Sequence, residues 1–221
     1  MTLPTPRRQT AQQFALEHLR SQIASGTLQP DDRIRQEQLA DEIGSSVVPV
    51  REALKTLEAE GQVRYIPHRG YHVARLSLEE LIETYQLRRL LEDEAVRVGI
   101  EQLTEDDFSV LDLAIEDMET ASSEIDIATM TAANLRFHFT IFDAAAMPRL
   151  SHFIRLLWQS TDPYRALYYA DDGHRARAND EHRRIVVALH ARDTQGAIAE
   201  LDRHREHAIE GLTGLLGIRE S

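Results

Sequence analysis

Two neighbouring segments near the N-terminus carry apolar residues at the three- and four-residue spacing of amphipathic helices. The first helix is predicted roughly over residues 36–43, where Gly44 can adopt the left-handed conformation that ends a helix. The second is predicted to run to about residue 60, with Ser46 as its N-cap and Pro49 in its first turn, where a missing N–H costs little. The residues predicted to face inward are Leu39, Ala40, Ile43, Val50, Ala53, Leu54 and Leu57.

A β-hairpin is predicted directly after the second helix. The β-prone runs QVRYI and YHVA flank a turn at Pro67-His68-Arg69-Gly70. Helix, tight turn, helix and hairpin is the order of a winged helix-turn-helix, whose second helix enters the DNA major groove. Upstream, a helix is predicted from Thr10 until Gly26. Its expected buried stripe is Phe14, Ala15, Leu19 and Ile23.

The chain after the hairpin has helical patterning throughout. A capping-box pattern, Ser77-x-x-Glu80, opens the first of these helices, and Thr104 is predicted to cap the second. Four more are predicted, with Pro163 bending or ending the one at 149–161; their ranges are roughly 125–146, 149–161, 177–191 and 194–216. Six helices with short loops predict an antiparallel bundle. The predicted fold is therefore mostly α, an N-terminal winged helix-turn-helix followed by a C-terminal antiparallel helical bundle.

The expected domain organisation follows from these elements. A disordered arm is predicted over residues 1–9, a DNA-binding domain over 10–75, and an all-helical effector-binding and dimerisation domain over 76–217. No apolar run is long enough to span a bilayer, and the N-terminus lacks the apolar segment of a signal peptide. There is no cysteine, which excludes disulfides and thiol catalysis. We expect a cytoplasmic protein that does not associate with membranes.

The net charge of −12 is unevenly distributed along the chain. Residues 1–75 hold 10 Lys/Arg and 9 Asp/Glu, whereas residues 76–221 hold 15 and 28. The near-neutral N-terminal third can therefore present a basic face to DNA. The acidic remainder repels phosphate and is expected to point away from the duplex.

Arg51 is the main candidate for a base contact, because arginine near the start of a recognition helix can pair bidentately with guanine. The alternative is a solvated arginine paired with Glu52 or Glu58. Lys55 and Arg35 are candidates for phosphate contacts, and the hairpin tip for the minor groove. The predicted DNA-binding residues are Arg35, Ser46, Val47, Arg51, Lys55, His68, Arg69 and Gly70.

Three predicted helices of the bundle each place a histidine on an apolar face: His138, His182 and His204. Asn134 lies four residues before His138, so the two share a helix face. Histidines of this kind are either hydrogen-bonded core residues or ligands of a divalent metal. His207, three residues after His204, is expected at the surface. The spacing alone leaves both interpretations open.

The chain resembles the GntR family of bacterial transcription regulators, and more narrowly the FadR subfamily with an FCD-type effector domain. The resemblance rests on PVREALKTLEAEGQV, on HRGYHVA at the wing and on GTLQPDDRI before it. In the C-terminal part it rests on LRRLLE, NLRFH and EHRRIVVAL. It implies a homodimer that binds double-stranded operator DNA and releases it or rearranges when a small metabolite binds.

The resemblance also implies site residues. Metal-binding members use Asp or Asn followed four residues later by His, then two further His. These positions match Asn134, His138, His182 and His204. The implied cofactor is a divalent metal ion, with zinc favoured and nickel or manganese as alternatives. Arg88 matches an arginine that can bind an effector carboxylate in similar proteins, although an ion pair with Glu92 explains it equally well.

One departure from the family pattern concerns the start of the recognition helix. The family usually has Ser-Arg-Thr-Pro there, whereas this chain has Ser46-Val47-Val48-Pro49. A guanidinium that contacts base or phosphate is therefore missing at position 47. The operator sequence cannot be carried over from relatives.

These observations predict a transcriptional repressor controlled by a small carboxylate that binds in a metal-containing helical domain. The alternative is a metal-dependent hydrolase using the three histidines, because three His ligands with open water positions also describe catalytic zinc. Against it, no acid–base partner lies at a recognisable spacing. A third hypothesis is an adaptor whose winged helix binds no DNA; weak, salt-insensitive DNA association would favour it.

Overall fold

The computed structural model describes the backbone of residues 10–219 and the side chains of residues 10–215. Over this range the chain forms ten α-helices and one three-stranded sheet, which confirms the predicted fold class. The helices are α1 Ala11–Ala24, α2 Gln36–Glu42, α3 Val47–Ala59, α4 Leu78–Gly99, α5 Glu105–Glu124, α6 Ile127–Asp143, α7 Pro148–Ser160, α8 Asp162–Tyr169, α9 Asp172–His190 and α10 Thr194–Arg219. The strands are β1 Arg33–Ile34, β2 Val63–Ile66 and β3 Gly70–Val73. The predicted arm at residues 1–9 lies outside the described residues.

The two helices of the predicted helix-turn-helix are present as α2 and α3. Gly44 follows α2 with φ of +60°, the left-handed conformation expected of it. All four residues predicted to face inward from α3 are buried, as are Leu39 and Ala40 of α2, while Ile43 is half-buried. Ser46 is the N-cap residue of α3, but its side chain makes no capping hydrogen bond.

The hairpin formed by β2 and β3 is joined by a short third strand that the sequence did not indicate. Strand β3 lies between β1 and β2 and is antiparallel to both, with Ile34 opposite Tyr71. A two-residue strand is too short to show alternating polarity, so the sequence pattern does not reveal it. At the wing, Arg69 N–H donates to the Ile66 carbonyl at 3.0 Å, and His68 has φ of +63°. Pro67 and a positive φ at the next residue describe a type II turn.

Helix α1 corrects one predicted core residue. Ala15, Leu19 and Ile23 are buried at four-residue spacing, whereas Phe14 is 47% exposed. Phe14 lies one position off this stripe and stacks on the His18 ring one turn later, with centroids 6.4 Å apart. An apolar residue at the edge of a helical stripe is therefore only partly covered here.

The bundle has seven α-helices where six were expected. Pro163 does end α7, but it also lies in the first turn of α8, an eight-residue helix that was not predicted. The helix expected from residue 125 begins at Ile127, because exposed Ile125 has φ of +58° and ends α5. Helix α9 begins at Asp172, five residues before the expected start. The Asp171 carboxylate accepts from the His174 N–H at 3.0 Å and caps it there.

The buried apolar residues form two separate clusters. One lies between Ala15 and Val73 and holds the winged helix together, and the other begins at Leu81 and fills the bundle. Helix α1 packs against α6 and α8, and Gly26 lies beside Ala166 of α8. Helix α8 is thus in contact with both parts of the protein. Within the described residues, no helix is both long enough and apolar enough to cross a membrane.

Candidate metal and effector site and DNA-binding surface

The three histidines of the bundle meet at one point in its interior. His138 comes from α6, His182 from α9 and His204 from α10. The Nε2 atoms of His138 and His182 are 3.2 Å apart, and one nitrogen of each of the three rings lies within 4.8 Å of the others. His138 and His182 are buried and His204 is 9% exposed. The helical spacing that places each histidine on an apolar stripe is what turns the three rings inward.

The surroundings favour neutral imidazoles in this cluster. Burial lowers the pKa of His138 well below its usual value, and the neighbouring His182 and His204 lower it further. Burial likewise lowers the pKa of His182. A neutral imidazole keeps one nitrogen lone pair, which is the form that coordinates a metal. The three ring nitrogens, within 4.8 Å of one another, match the donor set of zinc or another divalent ion.

Asn134 lies one helical turn before His138 and is 1% exposed. Its Oδ1 has no hydrogen-bond partner among the described residues. A buried polar atom without a partner costs about 1–3 kcal/mol. An oxygen without a partner on the same helix face as His138 therefore fits a fourth ligand. The role of Asn134 stays a prediction.

Glu181 is a buried residue of this site that the sequence analysis did not identify. Its Oε2 is 2.7 Å from His204 Nδ1, and its Oε1 is 2.5 Å from His207 Nδ1. Because Nδ1 of His204 is engaged by the carboxylate, Nε2 is left as the metal-binding nitrogen of that ring. Burial raises the pKa of Glu181, but the hydrogen bonds and charges of the two histidines outweigh it, so the net shift is downward. His207, expected at the surface, is half-buried through this contact.

A small cavity of about 20 Å³ adjoins the cluster, with room for little more than one water molecule. Asn134, His204 and Arg88 are among the residues that line it. Helix α8 contributes Arg165, Tyr168 and Tyr169. The Tyr168 hydroxyl is buried without a hydrogen-bond partner in the described part of the chain. Two of the four metal candidates, Asn134 and His204, and the effector candidate Arg88 thus border one cavity.

Arg88 forms the predicted ion pair with Glu92 and also lies where it can bind an anion. Its Nε donates to Glu92 Oε1 at 2.9 Å, which is the predicted intrahelical ion pair. Its guanidinium carbon also lies 4.1 Å from the centre of the Trp158 ring and 4.6 Å from that of Tyr85. Its terminal nitrogens make no hydrogen bond with the described residues. The ion pair fixes the side chain and leaves the donors that suit a carboxylate.

Glu92 is the centre of a buried polar network beside the cavity. Besides Arg88, it accepts hydrogen bonds from Trp158 Nε1 and from Arg205 Nη1, both at 2.6 Å. Burial by itself raises the pKa of Glu92, but the positive charges of Arg88 and Arg205 outweigh it and lower the pKa. The carboxylate is therefore ionised in the folded protein at neutral pH. It holds two arginines and a tryptophan in place next to the histidines.

The predicted DNA-binding residues lie mainly on the exposed surface of the winged helix. Arg51 on α3 is exposed and its Nε is 3.3 Å from Gln36 Oε1, at the start of α2. Arg35 is exposed at the N-cap of α2. Lys55 is exposed and pairs with Glu52 at 2.8 Å. Val47 is half-buried and packs partly on the core of the winged helix.

The residues predicted at the wing occupy its tip. His68 and Arg69 are exposed, and Gly70 has φ of +88°, a conformation that favours glycine. Two arginines at the base of the wing, Arg64 and Arg75, pair with Asp31 and anchor the hairpin to the loop before β1. The tip is thus held by a fixed base. No contact with DNA is part of the structure, so these roles stay predictions.

Comparison with known protein families identifies both parts of the chain. Residues 11–73 match "Bacterial regulatory proteins, gntR family", and residues 83–207 match the FCD domain. The chain belongs to the GntR family. Its DNA-binding part is a GntR winged helix-turn-helix and its helical part is an FCD domain, as the sequence motifs indicated.

Similar GntR proteins are named as transcription regulators. The chain is 30% identical over 180 residues to the HTH-type transcriptional regulator McbR of Escherichia coli K12, covering 80% of this chain and 81% of McbR. It is 27% identical over 199 residues to the HTH-type transcriptional repressor GlaR of the same organism, covering 84% and 88%. The solved structure of E. coli McbR/YncC matches with a TM-score of 0.85 and 25% identity, covering 94% and 99%. This GntR protein is therefore a transcriptional regulator and not an enzyme, and the hydrolase hypothesis gains no support.

Proposed function

We propose that this GntR regulator is a homodimeric repressor whose operator binding is controlled by a small carboxylate bound at a metal site in the FCD domain. The observation that carries the proposal is the convergence of three histidines, of which His204 lines a cavity that Asn134 and Arg88 also line. A metal ion and a guanidinium beside one cavity are both suited to binding a carboxylate. The FCD domain is consistent with membership of the FadR subfamily. A repressor acts on DNA in the cytoplasm, where we expect this protein.

The metal ligands in this proposal are Asn134, His138, His182 and His204. Two observations support this set: the Asn134 oxygen has no partner among the described residues, and burial lowers the pKa of His138 and His182. Nitrogen and oxygen ligands suit zinc, nickel and manganese, and zinc is favoured for a site of three histidines. When bound, the ion supplies positive charge and open coordination positions for carboxylate oxygens. Glu181 orients His204 for this purpose.

Arg88 is proposed to bind the effector carboxylate. A guanidinium held by Glu92 and by two aromatic rings is already ordered, so little side-chain entropy is lost when an anion binds. A cavity of about 20 Å³ cannot enclose even a small carboxylate such as acetate without enlargement. Effector binding must therefore move some of the side chains that line it. That requirement gives the ligand a means of changing the conformation of the protein.

Helix α8 is the element through which such a movement is proposed to reach the DNA-binding domain. One side of α8 lines the cavity through Arg165, Tyr168 and Tyr169. The same helix contacts the winged helix, where Ala166 lies against Gly26 after α1. A shift of α8 toward or away from the cavity therefore changes the support of α1. Because α1 packs on the recognition helix α3, the geometry of DNA binding changes with it.

The proposal predicts a metal-dependent, carboxylate-dependent release of DNA. Protein purified without a histidine tag is analysed for metal content, and operator duplexes are obtained by selection from a random library. We expect one divalent ion per chain and lower operator affinity when a panel of small carboxylates is added. A carboxylate effect that persists without metal, or metal without any carboxylate effect across the panel, would contradict the proposed control. Absence of any selected duplex would contradict the DNA-binding role itself.

A further inference from the structure

Val48 is an unusually exposed apolar residue in the recognition helix. It is 68% exposed, whereas Val50 is fully buried and Val47 is half-buried. It lies in the first turn of α3, the end of a recognition helix that contacts base edges in helix-turn-helix proteins. A single exposed valine elsewhere on a protein needs no explanation. At this position it belongs to the surface that faces the duplex.

The exposed face of α3 places Val48 beside the predicted base reader. Val48, Arg51, Glu52 and Lys55 are all exposed and are spaced three and four residues apart, so they form one stripe. Val50, Ala53, Leu54 and Leu57 are buried on the opposite side. A helix that directs Arg51 into the major groove therefore directs Val48 into the same groove. The two side chains are neighbours on one helix face.

The side chains around Val48 favour an apolar contact for this residue. Arg51 is engaged with Gln36, and Lys55 with Glu52. The run Val47-Val48-Pro49 carries no side-chain hydrogen-bond donor or acceptor. Of the four bases, only thymine presents an apolar group, its C5-methyl, at the edge of the major groove. An isopropyl group at this position therefore matches one base feature.

We infer that Val48 packs against the C5-methyl group of a thymine in each operator half-site, a role that rests on the proposed binding of operator DNA. Three residues of α-helix rise about 4.5 Å along the axis, compared with about 3.4 Å per base pair. The thymine therefore lies one or two base pairs from the base that Arg51 contacts. Val48 thus provides an apolar base contact at the start of the recognition helix.

The experiment deletes the methyl group from the DNA and its partner from the protein. Duplexes are first selected from a random library with the full-length protein. Each thymine of a selected duplex is then replaced by deoxyuridine, which keeps base pairing and lacks only the C5-methyl. With the wild-type protein, we expect one position per half-site at which this replacement weakens binding about fourfold, the effect of one buried methyl-sized group.

The same series is repeated with Val48→Ala. We expect the variant to bind the thymine duplex more weakly and to have lost the response to deoxyuridine at that position, because the two deletions remove one contact. A new selection with Val48→Ala should recover the base preference assigned to Arg51 and no longer prefer thymine. Because Val48 is exposed, the melting temperature of the variant should remain that of the wild type.

Val187→Ala is the matched control, since Val187 is 70% exposed but lies on α9 in the bundle. It should retain the wild-type response to deoxyuridine at every position. The inference is overturned if no thymine replacement weakens binding, or if the weakening persists in Val48→Ala. Failure to select any duplex would overturn it together with DNA binding, whereas a selected operator without the thymine effect overturns only the role of Val48.

Discussion

Tyr164 of α8 binds the backbone of Leu76 through its side-chain hydroxyl. The Leu76 N–H donates to the hydroxyl oxygen at 2.5 Å, and the Leu76 carbonyl oxygen is 3.4 Å from it. Leu76 lies in the segment between β3 and α4, which connects the winged helix to the bundle. Tyr164 is fully buried on the helix that also lines the candidate effector cavity. One short helix therefore contacts the cavity and the interdomain connection.

Replacing Tyr164 by Phe removes this connection while keeping the aromatic ring. We expect the free energy of unfolding to fall by about 1 kcal/mol, the net contribution of a typical hydrogen bond. Amide hydrogen exchange at Leu76 should become faster, because its N–H loses its acceptor. Tyr71→Phe serves as the control, since its hydroxyl is 3.5 Å from Glu58 within the winged helix. Unchanged exchange at Leu76 in Tyr164→Phe would show that the hydroxyl does not hold the segment.

Arg51→Ala tests direct base readout by the recognition helix. We expect a loss of about 1–3 kcal/mol in operator binding per contact and relaxed preference at one position per half-site. The measurement is a binding-site selection followed by titration of the selected duplex at fixed salt. Arg97→Ala is the control, since Arg97 is an exposed arginine in the bundle paired with Glu94. Equal affinity and equal base preference in Arg51→Ala would remove Arg51 from the base-reading residues.

The metal site is tested by its effect on stability. We expect a chelator to lower the melting temperature and added zinc to restore it, because a ligand that binds only the folded state stabilises it. The double replacement of His182 and His204 by Ala should abolish the metal and the carboxylate response while DNA binding survives. His152→Ala, at an exposed histidine of α7, should behave as the wild type. Lack of stoichiometric metal, with no thermal shift across divalent ions, would leave these as core histidines.

Glu92→Gln tests the buried network beside the cavity. At pH 7 we expect a loss of about 3–5 kcal/mol in unfolding free energy, because Arg88 and Arg205 lose a buried counter-charge. Folding lowers the pKa of Glu92. The ionised carboxylate therefore contributes its full stabilisation above the unfolded pKa of about 4.3, and this contribution is lost as the pH falls from there through the lower pKa of the folded state. The difference in unfolding free energy between wild type and variant, measured by urea denaturation, should therefore shrink as the pH falls below about 4.

Glu94→Gln provides the matched control for that measurement. Glu94 lies two residues further along α4, but it is exposed, and among the described residues its ion pair is with Arg97. Its replacement should change the unfolding free energy by less than about 1 kcal/mol, both at pH 7 and below about pH 4. If Glu92→Gln lowered the unfolding free energy no more than Glu94→Gln does, other groups would have to compensate the charges of the buried arginines.

The assembly prediction concerns the helical bundle. Because the bundle has its own apolar core, a fragment of residues 77–221 is expected to fold without the winged helix. We expect both this fragment and the full chain to sediment as dimers, because the bundle is predicted to provide the main dimer interface. A monomeric fragment from a dimeric full-length chain would place the interface in the DNA-binding domain.

The sequence by itself determined the elements whose signals lie within a few residues. Gly44 ends α2 because glycine adopts a left-handed conformation without strain, and Ser77 with Glu80 forms the capping box that starts α4. The apolar spacing of α3 identified its buried side. The same periodicity placed His138, His182 and His204 on inward faces, since residues three and four apart share a helix face. The GntR and FCD motifs were also visible at this level.

Only the tertiary structure decided which of these faces meet and what completes them. Glu181 and His204 are 23 residues apart, and Arg205 is 113 residues from Glu92, so no local pattern relates them. Strand β1 forms by pairing with β3, which is distant in sequence. Helix α8 likewise packs on distant elements, both in the bundle and in the winged helix. The exposure of Val48 likewise depends on how α3 rests on α1 and α2. Side-chain proximity across elements is set by packing, which periodicity along the chain does not encode.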